Sequence, residues 1–479
     1  MRLGQQSFVY FLAKNAAYVV SFLAVVYFAR LVDPSTLGIY YVVIGLLAWL
    51  QLPGNMGISS AIKKRVSEGT DADEHVTAGI IVIGALFVIT AALLFVFRER
   101  VTAYIGADVT EYLVFLLFAG LSYSIVQAVL EGRQLVHVSG LLFPIKVGGR
   151  SLLQILLVLA GFELVGMLVG FATGVLVAAV LGAIVLALRF RRPARRHFAN
   201  IGSFAKYSWL GSVQSRTFNW IDILILNVFV SSALVGSYSV AWNVAAFLNT
   251  FGVSVSRSIF PEISKLSTDD GIDSTTHLIE DALSYAGLML IPGFIGGLLI
   301  GDRVIRLYGA KYVTGTAVLG ILIAACLVNG YQRQLLTTFN ALDRPDLAFR
   351  VNAVFVASNV VLNVAFVTWF GWIGAAYATL LTVSVATCAS FLLLSRLVTF
   401  SVPVAEIARQ WIAALTMGVV IYLAEPTVTP LKGAIPFGTA VGTIGLVAIG
   451  AAVYFFTLMG ISRQFRTTVG RNLPVDAPW

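Results

Sequence analysis

Residues Lys206–Val230 read KYSWLGSVQSRTFNWIDILILNVFV. The stretch is long enough to cross a bilayer, which takes about 20 residues of helix. Yet Arg216 stands at its middle, with Gln214, Asn219 and Asp222 close by. An arginine at mid-depth in lipid costs roughly 2.5–3.5 kcal/mol on insertion scales. A chain carries that cost where the side chain faces a bundle interior or a wet cavity. The stretch therefore predicts an all-α membrane bundle with polar groups inside it, and makes Arg216 the first candidate site residue.

Composition agrees. Of 479 residues, 58% are apolar and 11% charged, and mean hydropathy is +0.90. A soluble domain carries roughly 25% charged residues. Apolar runs recur along the whole length, which predicts a polytopic protein of the cell membrane. The net charge of +9 then reflects basic loops and a few intramembrane cations, and nucleic acid is not an expected partner. Cys326 and Cys388 both fall in apolar runs and read as small buried hydrophobes. The chain shows no phosphate-binding GxxxxGK[ST] loop, no HExxH or Cys/His cluster and no GxSxG motif. No catalytic residue, metal or cofactor is expected, and the chain reads as a non-enzyme. The first apolar run, Phe8–Leu31, exceeds the roughly 7–15 residues of a cleaved signal core. With Lys14 and Asn15 inside it, it reads as a retained first span.

About fourteen spans follow, near 8–32, 37–61, 76–97, 112–131, 142–161, 163–188, 204–230, 233–259, 281–301, 314–340, 347–369, 372–396, 404–424 and 435–459. Tight turns are expected near Gly161–Glu163 and at Phe370-Gly371. With the N-terminus inside, 18 loop Lys/Arg fall on the cytoplasmic side and 7 outside, so the positive-inside bias places both termini in the cytoplasm. The most basic loop, RFRRPARRHFANIGS (Arg189–Ser203), reads as a linker between halves and as a contact for anionic headgroups. The halves look related. At an offset of 198, Gly38, Tyr40 and Val42 match Gly236, Tyr238 and Val240. That suggests two parallel six-helix repeats with substrate between them. The expected organisation is an N-lobe over 1–188, a basic cytoplasmic linker over 189–203, a C-lobe over 204–397, and two additional helices with a cytoplasmic tail over 398–479.

Several cations fall inside or at the ends of spans. Lys14 is in the first, Lys146 and Arg150 share one face of the fifth, Arg216 is in the seventh, Arg257 in the eighth and Arg333 in the tenth. Most sit between midplane and cytoplasm. Such an excess suits an anion, and arginine suits phosphate or pyrophosphate through bidentate hydrogen bonding. Asp222 and Glu131 are the acidic candidates, and Asn15, Gln214 and Asn219 the neutral polar ones. Snorkelling to the interface is the competing reading for Lys146, Lys206 and Arg257. A structural ion pair with Asp222 is the competing reading for Arg216.

Two segments carry a family resemblance. The first span ends ARLVDPSTLGIYYV, and the second ends LPGNMGISSAIKKRVSEG. With Arg30, Leu31, Gly38, Ile39 and Tyr40, then Gly57-Ile58, Ser59, Ser60, Ala61 and Lys63 to Arg65, the chain resembles the Wzx-type oligosaccharide flippases of polysaccharide biosynthesis. That family lies in a superfamily with multidrug and toxin extruders and peptidoglycan-precursor flippases. LLTTFNALDRPDLAFR (Leu335–Arg350) is similar to the family as well. Where members often carry Asp or Glu before the second-helix glycine, this chain has Asn55 and Met56. The resemblance implies an undecaprenol- or dolichol-linked glycan carried between leaflets by alternating access, with membrane lipids and other glycan-assembly proteins as partners. On that reading Arg216 is the central phosphate contact, Lys14, Arg257 and Arg333 support it, and Lys146 and Arg150 admit the substrate. The alternative is a cation-coupled multidrug or metabolite exporter of the same fold, for which Asp222 would have to couple.

Overall fold

The computed structural model describes residues 17, 19–208, 211–269, 275–428 and 438–472, the side chains of 206–208, 211–212, 251–262, 264–269, 427–428, 438 and 471–472 excepted. Every regular element among them is helical. In order they are α1 (Val19–Leu31), α2 (Pro34–Asn55), α3 (Ile58–Ser67), α4 (Ala72–Val96), α5 (Arg98–Ile105), α6 (Thr110–Gly132), α7 (Val136–Leu159), α8 (Glu163–Leu186), α9 (Arg195–Ser208), α10 (Gly211–Phe229) and α11 (Ser232–Asp269). Then come α12 (Thr276–Ala286), α13 (Leu290–Arg306), α14 (Thr316–Ala341), α15 (Pro345–Phe370), α16 (Ile373–Leu394), α17 (Val404–Val428), α18 (Gly438–Ile461) and α19 (Arg463–Asn472). Among the described residues, eleven helical segments are long and apolar enough to cross a membrane. Their outer faces carry large apolar side chains in the open, such as Val96 at 75%, Trp369 at 74% and Phe456 at 75% exposure. In water such faces would aggregate, so lipid is their solvent. Cys388 belongs to that outer surface while Cys326 is buried. The expectation that both are buried is thereby corrected for Cys388: lipid hides a thiol as well as a core does.

The chain divides into two compact units, Met1–Ser239 and Val240–Trp479. In the first, α7 and α8 form a hairpin through a turn at Gly161 (φ +89°) and Glu163 (φ 36°), as the sequence predicts. Gly166, Gly170 and Gly174 line the face of α8 toward α7. A Cβ at Gly170 would stand 2.6 Å from the Gln154 nitrogen, and one at Gly174 2.3 Å from the Arg150 Cα. Small residues four apart let two membrane helices touch backbone to backbone. The span predicted at 37–61 is interrupted. α2 ends at Asn55, Met56 (φ 44°) and Gly57 (φ 77°) turn left-handed, and α3 begins at Ile58. Pro53, which cannot donate to the carbonyl four residues back, loosens that end. Asn55 repairs the break: its Oδ1 accepts the Ser59 N–H at 2.9 Å, and its amide reaches Ser59 Oγ at 2.8 Å and Ser124 Oγ at 3.3 Å.

The single span predicted at 204–230 is replaced by two helices. α9 starts nine residues earlier, at Arg195, and ends at Ser208, before α10 begins at Gly211. The physical reason is amphipathicity. His197, Ile201 and Ala205, one turn apart, are buried, while Arg195 and Arg196 are exposed. α9 is thus a surface helix against α3 and α4 rather than the start of a span.

In the second unit, Ile263, Leu283, Phe339, Leu342 and Leu394 gather α11, α12, α14 and α16 into one core. Ile291, Ala413, Met417, Leu446 and Tyr454 join α13, α17 and α18 in another. The span predicted at 281–301 is broken between α12 and α13. Pro292 lacks the N–H that the Leu288 carbonyl would accept, and its ring crowds that carbonyl. α15 and α16 turn back at Gly371 (φ +63°). Amphipathic α19 is latched on by Ser462 Oγ, which donates to Glu406, by Gln464 Nε2 to Asp281 at 2.6 Å, and by the 2.6 Å hydrogen bond between the Tyr285 and Thr468 hydroxyls.

Candidate functional site, a cationic stripe in the first unit

The i, i+4, i+8 stripe of α7 organises the site. Lys146 Nζ lies over the Tyr123 ring of α6, 4.1 Å from its centroid. One turn on, the Arg150 guanidinium lies over the Phe171 ring of α8 at 4.7 Å and donates to Ser21 Oγ of α1 at 3.2 Å. A further turn on, Gln154 is 2% exposed; its amide donates to the Tyr40 hydroxyl of α2 at 3.0 Å and to the Met167 carbonyl at 2.8 Å. Lys146 and Arg150 are half-buried and have no carboxylate partner among the described residues. Aromatic faces attract these cations without neutralising them. Sequence spacing found Lys146 and Arg150. It missed Gln154 and Tyr40, although Gln154 sits at the next i+4 position and Tyr40 within the repeated Gly-x-Tyr.

Arg216 is half-buried on α10. Its Nε is buried with no hydrogen-bond partner, and no carboxylate pairs with it among the described residues. Gln214 is half-buried beside it. Asn219 spends its amide on the Ser215 carbonyl of its own helix at 2.6 Å. Asp222 is 4% exposed and accepts a hydrogen bond from Tyr238, nearly two turns into α11. α10 leans on α2, where Trp220 and Leu224 pack at Gly45, and on α5, where the Tyr104 hydroxyl donates to the Leu224 carbonyl at 2.7 Å. Burial pushes the Tyr104 hydroxyl up to about 12, so it remains a donor at any ordinary pH.

Glu131 pairs at 2.7 Å with Lys63 and accepts from Gln127 at 3.0 Å. It thus serves the basic end of α3. In the second unit, Arg333 is half-buried on α14 between fully buried Gln332 and Gln334. Arg257 lies on α11 with its side chain outside the described residues, and Lys14 and Asn15 lie outside them altogether. A cluster that sequence spacing did not single out lies between α15 and α16. Asn359 donates to Thr379 at 3.2 Å and Thr382 at 2.9 Å, and Asn363 donates to the Asn359 side chain at 3.2 Å, all four residues at 1% exposure or less. The Asn359/Asn363 spacing of four was its signal. No group of His, Cys, Asp and Glu suited to a metal occurs among the described residues.

Known proteins share this architecture. A family model described as polysaccharide biosynthesis protein matches residues 3–267. The chain is 29% identical over 477 residues to the probable flippase AglR of Haloferax volcanii, covering 98% of each. It is 26% identical over 483 residues to the probable low-salt glycan biosynthesis flippase Agl15 of the same organism, covering 99% of each. Among solved structures, the lipid II flippase MurJ in an inward closed conformation matches with a TM-score of 0.76 at 18% identity, over 96% of this chain and 100% of that one. An inward-facing multidrug resistance MATE family transporter of the MOP superfamily matches with a TM-score of 0.64 at 16% identity, over 80% and 95%. At these identities the structural likeness establishes the fold. The family model spans more than half of the sequence, and the chain belongs to the polysaccharide biosynthesis protein family.

Proposed function

We propose that the chain carries a polyprenyl phosphate- or pyrophosphate-linked oligosaccharide from the cytoplasmic to the outer leaflet by alternating access. The observation that carries this reading is that Lys146, Arg150 and Arg216 lie half-buried on membrane helices without a carboxylate partner among the described residues. Unneutralised cations in such surroundings are costly unless an anion arrives. The full-length relatives named as flippases, one of glycan biosynthesis, support the choice of a glycan-bearing cargo. In this reading Arg216 meets the phosphate, Lys14, Arg257 and Arg333 support it, and Lys146 and Arg150 admit it. Gln214, Asn15 and Asn219 line the polar path. α1, α10 and α11 cross the membrane with the eleven apolar segments, giving fourteen spans with both termini in the cytoplasm. Residues 1–188 and 204–397 act as two six-helix repeats joined by 189–203, with 398–479 outside the repeat. Other glycan-assembly proteins supply and receive the cargo, and the chain transports without changing covalent bonds.

The exporter reading asks Asp222 to couple a cation, and its burial against Tyr238 does not favour that role. The test is a deletion strain complemented with wild type or Arg216→Ala, with lipid-linked glycan assayed by leaflet. Wild type restores outer-leaflet glycan, and Arg216→Ala inserts normally but leaves the glycan trapped inside. Full activity of Arg216→Ala sinks the central role of that residue. Normal glycans on both sides of the deletion strain sink the cargo.

A further inference from the structure

The linker between α8 and α9 is built as a strap. Leu188–Ala194, LRFRRPA, has no regular structure and begins two residues beyond the end of apolar α8. Two of its neighbouring arginines staple it down. Arg191 lies 3.6 Å from Glu74 and 3.9 Å from Asp73, and its backbone N–H donates to Thr77 Oγ1 at 3.2 Å. Arg196 pairs with Asp71 at 2.7 Å. At the strap's origin Arg133 donates to the Leu186 carbonyl at 2.8 Å while paired with Asp73 at 2.9 Å. The other three arginines, Arg189, Arg192 and Arg195, are exposed and have no partner among the described residues. Between them Phe190 stands 70% exposed. Lys64, also exposed, belongs to the same face, because Arg65 beside it donates to the Asn200 carbonyl of α9 at 3.3 Å.

We propose that this strap is a docking surface for the anionic phospholipids of the leaflet in which α8 ends. Four unneutralised basic side chains beside a membrane helix attract anionic headgroups. Phe190 selects a lipid over a soluble phosphate compound. Its ring gains nothing from a free anion, but at the height where an apolar span ends it buries into the boundary between headgroup and acyl chain. The acidic residues of the face, Glu68, Asp71, Asp73 and Glu74, pair with Arg65, Arg133, Arg191 and Arg196, so they hold the strap in place rather than cancel the charge of the free arginines. The inference rests on the strap's placement and does not depend on the cargo.

Native mass spectrometry of the full-length protein in mild detergent, titrated with phosphatidylglycerol or phosphatidylcholine at low and high salt, tests it. Wild type binds phosphatidylglycerol preferentially and loses it at high salt. Each arginine is worth about fivefold, so R189Q/R192Q/R195Q weakens binding roughly 100-fold. The triple lysine variant stays within about fivefold of wild type, and F190S weakens binding without changing its salt dependence. Undiminished phosphatidylglycerol binding by the triple glutamine variant, or equal binding of phosphatidylcholine by wild type, overturns the proposal. Displacement of phosphatidylglycerol by inorganic phosphate at equal concentration also overturns it, and assigns a phosphate site instead. If the triple glutamine variant fails to fold, F190S and the wild-type salt titration decide: binding indifferent to both refutes the surface.

Discussion

The crossing of α2 and the start of α11 yields the most demanding prediction. At Gly38 an added Cβ would stand 1.9 Å from the Ser232 carbonyl oxygen and 3.0 Å from the Gly236 nitrogen. At Gly236 it would stand 2.1 Å from the Pro34 carbonyl oxygen and 3.2 Å from the Gly38 nitrogen. Ordinary contact begins at 3.4 Å, so the shortfalls are 1.5 Å and 1.3 Å. The obstructing atoms are backbone carbonyls, which no rotamer change can move. Overpacking costs about 1–3 kcal/mol where side chains can adjust, so Gly38→Ala and Gly236→Ala should each cost about 3 kcal/mol. The geometry is reciprocal: 38 meets 232 and 236 meets 34. A single separation of about 1.5 Å therefore admits both methyls, and the double variant should cost little more than the worse single one. That corresponds to a coupling of about 2–3 kcal/mol in a double-mutant cycle. Detergent-induced unfolding of purified protein, followed by tryptophan fluorescence, measures all three. Strict additivity, near 6 kcal/mol for the pair, refutes the shared crossing, and two silent single variants refute the close approach.

Other perturbations separate positioning from packing. Gly174→Ala, whose Cβ would stand 2.3 Å from the Arg150 Cα, should push α7 away and cost about 2–3 kcal/mol by the same unfolding assay. Gly148→Ala on α7 has nothing within 4 Å and should change stability by no more than about 0.5 kcal/mol. Asn359→Ala removes the amide hydrogen bonds to the Thr379 and Thr382 hydroxyls and the side-chain acceptor of Asn363 in a dry interior, and should cost about 1–3 kcal/mol. Asp71 is held below the usual carboxylate range chiefly by its hydrogen bond from His197, with Arg196 and the ring charges adding to it. A lowered carboxylate stabilises the fold above its unfolded value of 3.8 and loses that contribution as pH falls through and below it. The gap in thermal stability between wild type and Asp71→Asn should therefore close as pH falls below about 4. A gap that persists undiminished well below about pH 4 contradicts the assignment.

Hydropathy reads the membrane, and only indirectly the helix. That is why α4, α6 and α8 fell within a few residues of expectation while α9, α10 and α11 did not. α11 runs on to Asp269 through Ser, Arg and Lys residues that an apolar window excludes but a helix leaving the bilayer accepts. α9 enters the predicted seventh span from outside because Phe204 and Ala205 extend its apolar run, although the face they complete packs on α3 and α4. The break at Met56-Gly57 was signalled only by Pro53-Gly54, three residues early, since left-handed residues are set by what the end of the helix must cap. Local spacing could pair Lys146 with Arg150, four apart on one helix. It could not pair Asp71 with His197, 126 residues away, or give Glu131 to Lys63. The repeat at an offset of 198 is the instructive case. It equated Gly38 with Gly236 as corresponding positions, and these two glycines lie against one another. Only a residue without a Cβ suits both sides of so close a crossing. Here the two glycines that a weak internal match picked out meet at one helix crossing, and the coupling between the two alanine variants measures whether that crossing is shared.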